Sequence, residues 1–390
     1  MAVWCGIAFG VYRAVSMFMP NNELVPAFSE GGQVNVVIEG SVITDLGSPR
    51  ITEGRILLPL ALVKEHIDPY INWDEKLGKL TITTRDRVIR MKTGSLDAYV
   101  NNRPVTLNIP VTEDGDVFVP IEFLSDFYGI KIEYVEENNV VVIDFISSEK
   151  QYARPVRKTV AVRTGQSRFE PIVKKIENTG DGDNLLRVFE EYEKWYKVRT
   201  ADGIIGFVNK KDISLMPKIP EQIAEEPAGP EPWKPEIGKI NMAWDYAYNV
   251  KTNLDKRVKI EGLDVISPTW FQVVGEDGEI KNHADSKYVE WAHNHGYKVW
   301  ALVSNSFDDV EKTSAFLNNT EARENAIKQI LAFAALYKLD GINIDFENIK
   351  ASDKGALTQF VREITPLLRE QGLVVSIDVN LAPCYDRKAL

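Results

Sequence analysis

The segment LDGINIDFENI, residues 339–349, holds three carboxylates, Asp340, Asp345 and Glu347, in a run that otherwise reads as a buried strand. Burying charge is costly unless the charge is paired or put to work. No Lys or Arg lies in the run to make it an ion-paired core strand. Side chains alternate along a strand, so Asn343, Asp345 and Glu347 are expected on one face, and Ile342, Ile344 and Phe346 on the other. Two acids spaced by two residues on one face cannot both ionise freely. Repulsion and partial burial make one of them hold its proton. A carboxylic acid that is protonated near neutral pH is what cleavage of a glycosidic bond requires.

The surrounding elements must place that strand. Apolar runs at 239–246, 263–271, 297–305, 339–347 and 373–380 alternate with helical patterns such as EARENAIKQILAFAALYK and KGALTQFVREITPLLREQ. Strand and helix in steady alternation imply parallel βα units. A closed eight-stranded barrel of such units takes roughly 250 residues, whereas 237–390 supplies 154. The expected element is therefore a C-terminally truncated (β/α)8 TIM barrel ending after its fifth strand, and the chain reads as a fragment of a longer protein. The polar face would point into the barrel, with Glu347 at the C-terminal rim where such barrels carry their active sites.

DGINIDFE resembles the DGxDxDxE signature of glycoside hydrolase family 18, the chitinase-like barrels, with Asn343 where many members have Asp. The DGINIDFEN form is similar to the branch of spore-cortex and peptidoglycan hydrolases, and SPTWF and VWALVSN support the resemblance over 237–390. It implies a substrate-assisted, retaining mechanism. Glu347 would protonate the glycosidic oxygen and later activate water. Asp345 would orient the substrate's acetamide and stabilise the cyclic cation that it forms. Asp340 and Asn343 would support them, Asp340 from the start of the strand and Asn343 from below Asp345. The substrate must then carry a 2-acetamido group, as peptidoglycan and chitin-like glycans do, and no cofactor or metal is needed. The resemblance also implies a tyrosine on a sixth strand and a tryptophan floor from later strands, which 237–390 does not reach. Trp244, Trp270 and Trp300 are candidate sugar-stacking platforms, or else barrel core. His293 and His295, two apart on a helix, diverge too far for a metal pair.

Upstream, EGRILLPLALV (53–63) repeats as DGDVFVPIEFL (114–124) at an offset of 61, and Trp73, Leu80 and Ile82 recur as Tyr134, Val141 and Ile143. Each copy reads as a strand, a Pro, a short helix and two strands, with Pro59 and Pro120 where the missing N–H costs little. The pattern resembles the copper amine oxidase N-terminal-like domain, expected here as an α+β repeat domain over 34–147. His66 is the region's only histidine, and one histidine makes no copper site. Residues 152–216 resemble a small bacterial SH3-like β-barrel on Trp195, Gly206, Phe207 and Val208, with turns at Asp181-Gly182 and Asp202-Gly203. Such modules bind cell-wall peptides or act as spacers, so Trp195 and Tyr196 face a ligand or the core. A linker over 217–236 is expected from six prolines interleaved with acids, a composition that stays extended.

The net charge of −11 argues against a nucleic-acid partner. Cys5 and Cys384 offer neither a disulfide framework nor metal spacing. Residues 1–33 begin with an apolar run interrupted by Arg13, read as an imperfect export signal or membrane anchor, or as a surface-docked arm. The expected whole is a multidomain secreted or surface-anchored hydrolase of N-acetylglucosamine-containing glycan. The alternatives are a non-catalytic wall-binding protein, and an adhesion or spacer protein built on the repeats.

Overall fold

The sheets follow from the patterns above. The computed structural model describes residues 19–28, 31–146, 149–178, 184–218, 238–247, 254 and 257–379. Cys5, Cys384, Asp181, Gly182, the apolar run through Phe18 and nearly all of the 217–236 linker lie outside them. Among the described residues no helix is long and apolar enough to cross a membrane. The chain divides into two units, Met1–Pro69 with Leu107–Glu226, and Tyr70–Thr106 with Pro227–Leu390. The 34–147 segment is thus shared between them.

In the first unit the repeated strands Arg55–Pro59 and Asp116–Pro120 pair antiparallel, with Val119 opposite Leu58. Each runs through its proline into a short helix, Leu60–His66 or Ile121–Tyr128. The second copy continues as the hairpin Ile130–Val135 and Val140–Phe145, whose second strand takes Asn35–Ile38 as a parallel partner. Residues 151–215 form a seven-stranded sheet around Val160, Val162, Leu186, Tyr196, Val198 and Val208. Tyr196 is therefore core, while Trp195 is half-buried. Asp144 ties the two sheets together. Burial works against its ionised form, but Arg199, Arg187 and Lys150 outweigh that and hold the carboxyl below its usual range.

In the second unit five parallel strands lie in chain order: Met242–Asp245, Val265–Val273, Lys298–Ser304, Gly341–Asp345 and Val374–Ile377. Helices Ser286–Asn294, Val310–Leu317, Thr320–Tyr337 and Lys354–Glu370 cover one face. Val299, Ala301, Val303, Ile342 and Ile344 point into that helical layer, against Phe316, Ile330 and Phe360 among others. The sheet is strongly curled. Strands spaced about 4.8 Å apart would put the first and fifth about 19 Å apart if flat, yet the Trp244 indole N–H on the first strand donates to Asp378 Oδ2, just past the fifth, at 3.2 Å.

The first repeat copy diverges from its twin. Its hairpin, Asn72–Asp74 and Lys79–Thr83, extends into a five-stranded meander through Arg103–Thr106. That meander packs within the second unit: Val88 joins its core cluster, and the Arg362 guanidinium donates to Thr83 Oγ1 and Thr83 O, both at 2.9 Å.

Candidate active site

The Gly341–Asp345 strand positions the acids. Gly341 is required there: a Cβ would lie 2.7 Å from Trp300 Cδ1 and 2.8 Å from the Val374 carbonyl oxygen. Asn343 follows on the concave face and is wholly buried, its amide donating to Asp378 Oδ2 at 2.7 Å and its carbonyl accepting from Ser376 Oγ at 2.6 Å. Asp345 and Glu347 come next on the same face, and with Asp378 they line a cavity of about 720 Å³, within the range of small-ligand sites. Ile342, Ile344 and Phe346 go to the helical side, as the alternation dictates.

Among the described residues the cavity lining carries these three carboxylates and no Lys, Arg or His. Burial, then the charges of Asp378 and Glu347, push the Asp345 carboxyl up to about 6. Asp345 is thus a reservoir for one proton at mildly acid pH. Glu347 stands just past the strand end, and a side chain from the neighbouring strand fixes its backbone. Asn305, 1% exposed, accepts from the Glu347 N–H at 2.9 Å and donates to the Glu347 carbonyl at 2.8 Å. Thr313 Oγ1, 3.0 Å from the Asn305 amide nitrogen, orients it. This two-point clamp sets where the Glu347 side chain starts.

Other expected site residues fall elsewhere. Asp340 caps the opposite end of the strand, accepting from the Val299 N–H and meeting His293 Nε2, both at 2.8 Å. It does not line the cavity. Trp270 is 1% exposed and packs edge-on against Tyr288 in the helical layer. Its neighbour Thr269 faces the cavity, so alternation sends Trp270 the other way. Trp300 is 5% exposed, beneath the acids against Gly341. Neither indole is open to a glycan. Trp244, 62% exposed, is the tryptophan that lines the cavity. His295 bonds the Trp291 carbonyl through Nδ1, away from His293. Among the described residues no cluster of three or more His, Cys, Asp or Glu is arranged to hold a metal.

With this geometry in place, the likenesses to known proteins can be set beside it. A family model described as the copper amine oxidase N-terminal domain matches residues 37–143. Copper does not fit this stretch, since His66 is its one imidazole and it has no cysteine. Two Bacillus subtilis (strain 168) proteins are similar in sequence. The "Uncharacterized glycosylase YvbX" is 27% identical over 117 residues, 29% of this chain and 34% of the relative. A protein whose name includes "sporulation-specific glycosylase YdhD" is 33% identical over 134 residues, 34% of this chain and 27% of the relative. The chain thus spans about a third of the length of the curated relatives it matches. The spore cortex-lytic enzyme SleL of Bacillus megaterium QM B1551 overlays on 37% of this chain and 35% of its own, at 22% identity and a TM-score of 0.33. The chain is distantly related to proteins named as glycosylases.

Two residues of the site were not singled out from the sequence. Asp378 is an acid inside the apolar run LVVSIDV, the same anomaly that flagged the Asp345 strand. Asn305 ends the run VWALVSN; a polar residue at the C-terminal end of a parallel strand is its only local signal.

Proposed function

We propose that this protein is a glycoside hydrolase of N-acetylglucosamine-containing glycan, of cell-wall or chitin type, working by the substrate-assisted retaining route. The observation that carries this reading is the pairing of a clamped Glu347 with a proton-holding Asp345 in one cavity at the C-terminal end of parallel strands. Glu347 delivers a proton to the glycosidic oxygen while the sugar's own acetamide oxygen closes on the anomeric carbon. Asp345 orients the acetamide and balances the positive charge of the ring it forms. Glu347 then takes a proton from water as the ring opens. Trp244 supplies an aromatic face at the mouth of the cavity. The incomplete ring of strands closes, in this reading, as a (β/α)8 barrel. The SH3-like 152–216 segment and the repeat segment tether the enzyme to the wall outside the cell.

The test is reducing-end release from purified peptidoglycan and from N-acetylglucosamine oligomers. Glu347→Gln is expected to lower the rate by about 10²–10⁴-fold, the usual contribution of a general acid, while retaining glycan binding. Equal turnover in the variant would remove Glu347 from the mechanism. Binding without any cleavage by the parent chain would turn the reading to a wall-binding protein.

A further inference from the structure

We propose that Asp378 is a positioning carboxylate of this site, holding Asn343 and Trp244 and acting by its charge on Asp345 from the neighbouring strand. The inference rests on the hydrolase reading for its purpose, but not for its physical content. At position 343 an amide occupies the place beneath Asp345. An amide carries no charge and cannot share a proton with Asp345 as a carboxylate could. The geometry supplies the missing charge from the side. Asp378 Oδ2 accepts from Asn343 Nδ2 at 2.7 Å and from the Trp244 indole at 3.2 Å. Ser376 Oγ donates to the other end of the Asn343 amide, so its nitrogen and its oxygen are each held by the last strand and its flank.

Among the described residues the charged surroundings of Asp345 are few. Its own segment contributes Glu347, and the last strand contributes Asp378. The preceding strand presents Leu302 and Ser304, the second strand Thr269, and the first strand Trp244. Asp245, at the end of the first strand, is occupied by Arg257 and Tyr288. Among the described residues no cation lines the cavity. Asp378 is thus one of two charges that, after burial, keep the proton on Asp345. It also holds Trp244 at the mouth, linking the stacking face to the acid pair.

The experiment is a carboxyl carbon NMR titration of the full chain labelled at aspartate. In the parent protein Asp345 is expected to titrate near pH 6. Asp378→Asn keeps an acceptor for Asn343 and removes only the charge. It should lower the Asp345 midpoint by on the order of one pH unit, and Asp378→Glu should restore most of it. A midpoint unmoved in Asp378→Asn, or a parent Asp345 midpoint at the ordinary aspartate value of 3.8, would overturn the proposal. The second criterion needs no variant to fold. Because no turnover is read, a chain that cleaves no glycan yet shows the shift would refute the hydrolase reading and keep the coupling.

Discussion

Asp345 lives under a tension that should be visible as stability. Its carboxyl is held up from the ordinary aspartate value of 3.8 to about 6 by burial and by two like charges. The folded chain therefore holds a proton that the unfolded chain has already released between those values. Stability falls as pH rises through that window and stays lower above it. Replacing the acid removes the penalty. Asp345→Asn is expected to stabilise the fold at pH 7.5 by on the order of 1 kcal/mol, a figure reduced for the partial exposure of the group, and to do nothing below pH 4. Thermal melts at the two pH values check it; equal stabilisation at both would mean that charge is not the cause. Function and stability pull apart at such a position. The acids on one face were legible because period-two alternation is a local rule. Asp378 was not, because its meeting with Asn343 depends on which strand lies next to which. Nor was the burial of Trp270 and Trp300, since the side of a curled sheet that an indole joins is set by tertiary packing.

Among the elements, the helices owe their ends to local chemistry and their placement to burial. Asp285, Asp309 and Asn319 cap three of them by accepting backbone N–H groups of the first turn, and these starts stand openly in the sequence. So do Pro59 and Pro120, whose recurrence marked two strand-to-helix junctions. The link between Thr320–Tyr337 and Lys354–Glu370 is different in kind. Arg323, with its side chain 4% exposed, meets the fully buried Glu363 at 3.0 Å, and Gln359 donates to the same carboxylate. Forty residues separate the pair, so no helical spacing announces it. Glu363→Ala leaves Arg323 buried without its counter-charge and should cost about 3–5 kcal/mol. Arg323→Met with Glu363→Leu removes both charges and should come much closer to the parent. Urea midpoints decide between them. A double variant as weak as the single one would show that the pair contributes packing rather than mutual compensation.

At the scale of the molecule, the informative feature is a repeat whose two hairpins fall in different units. The repeat was legible in one dimension, yet its two hairpins join different sheets. Ile130–Val135 and Val140–Phe145 find a parallel partner in Asn35–Ile38. The equivalent Asn72–Asp74 and Lys79–Thr83 grow into the meander that lies on the helices behind the acid-bearing strand. The contacts span about 250 residues of chain and leave no local trace: Thr320 Oγ1 to Asp74 Oδ2 at 2.7 Å, Arg103 to Glu370 at 2.7 Å, and Arg362 to Thr83. Arg362 is the central tie. Besides its two hydrogen bonds, its guanidinium lies 4.2 Å from the centre of the Tyr70 ring. Removing it should cost about 1.5–3 kcal/mol, the range for hydrogen bonds to a charged group. The loss should be regional, because the meander has its own ladder of strands and the parallel sheet its own core. In Arg362→Ala, hydrogen exchange is therefore expected to quicken across 79–106 and along the exposed turns of Lys354–Glu370. Protection in Lys298–Ser304 and Gly341–Asp345 should hold. Uniform loss of protection through the parallel strands would mean that the meander is part of one cooperative core with the site, and that the acid pair depends for its geometry on a segment more than 230 residues upstream of it.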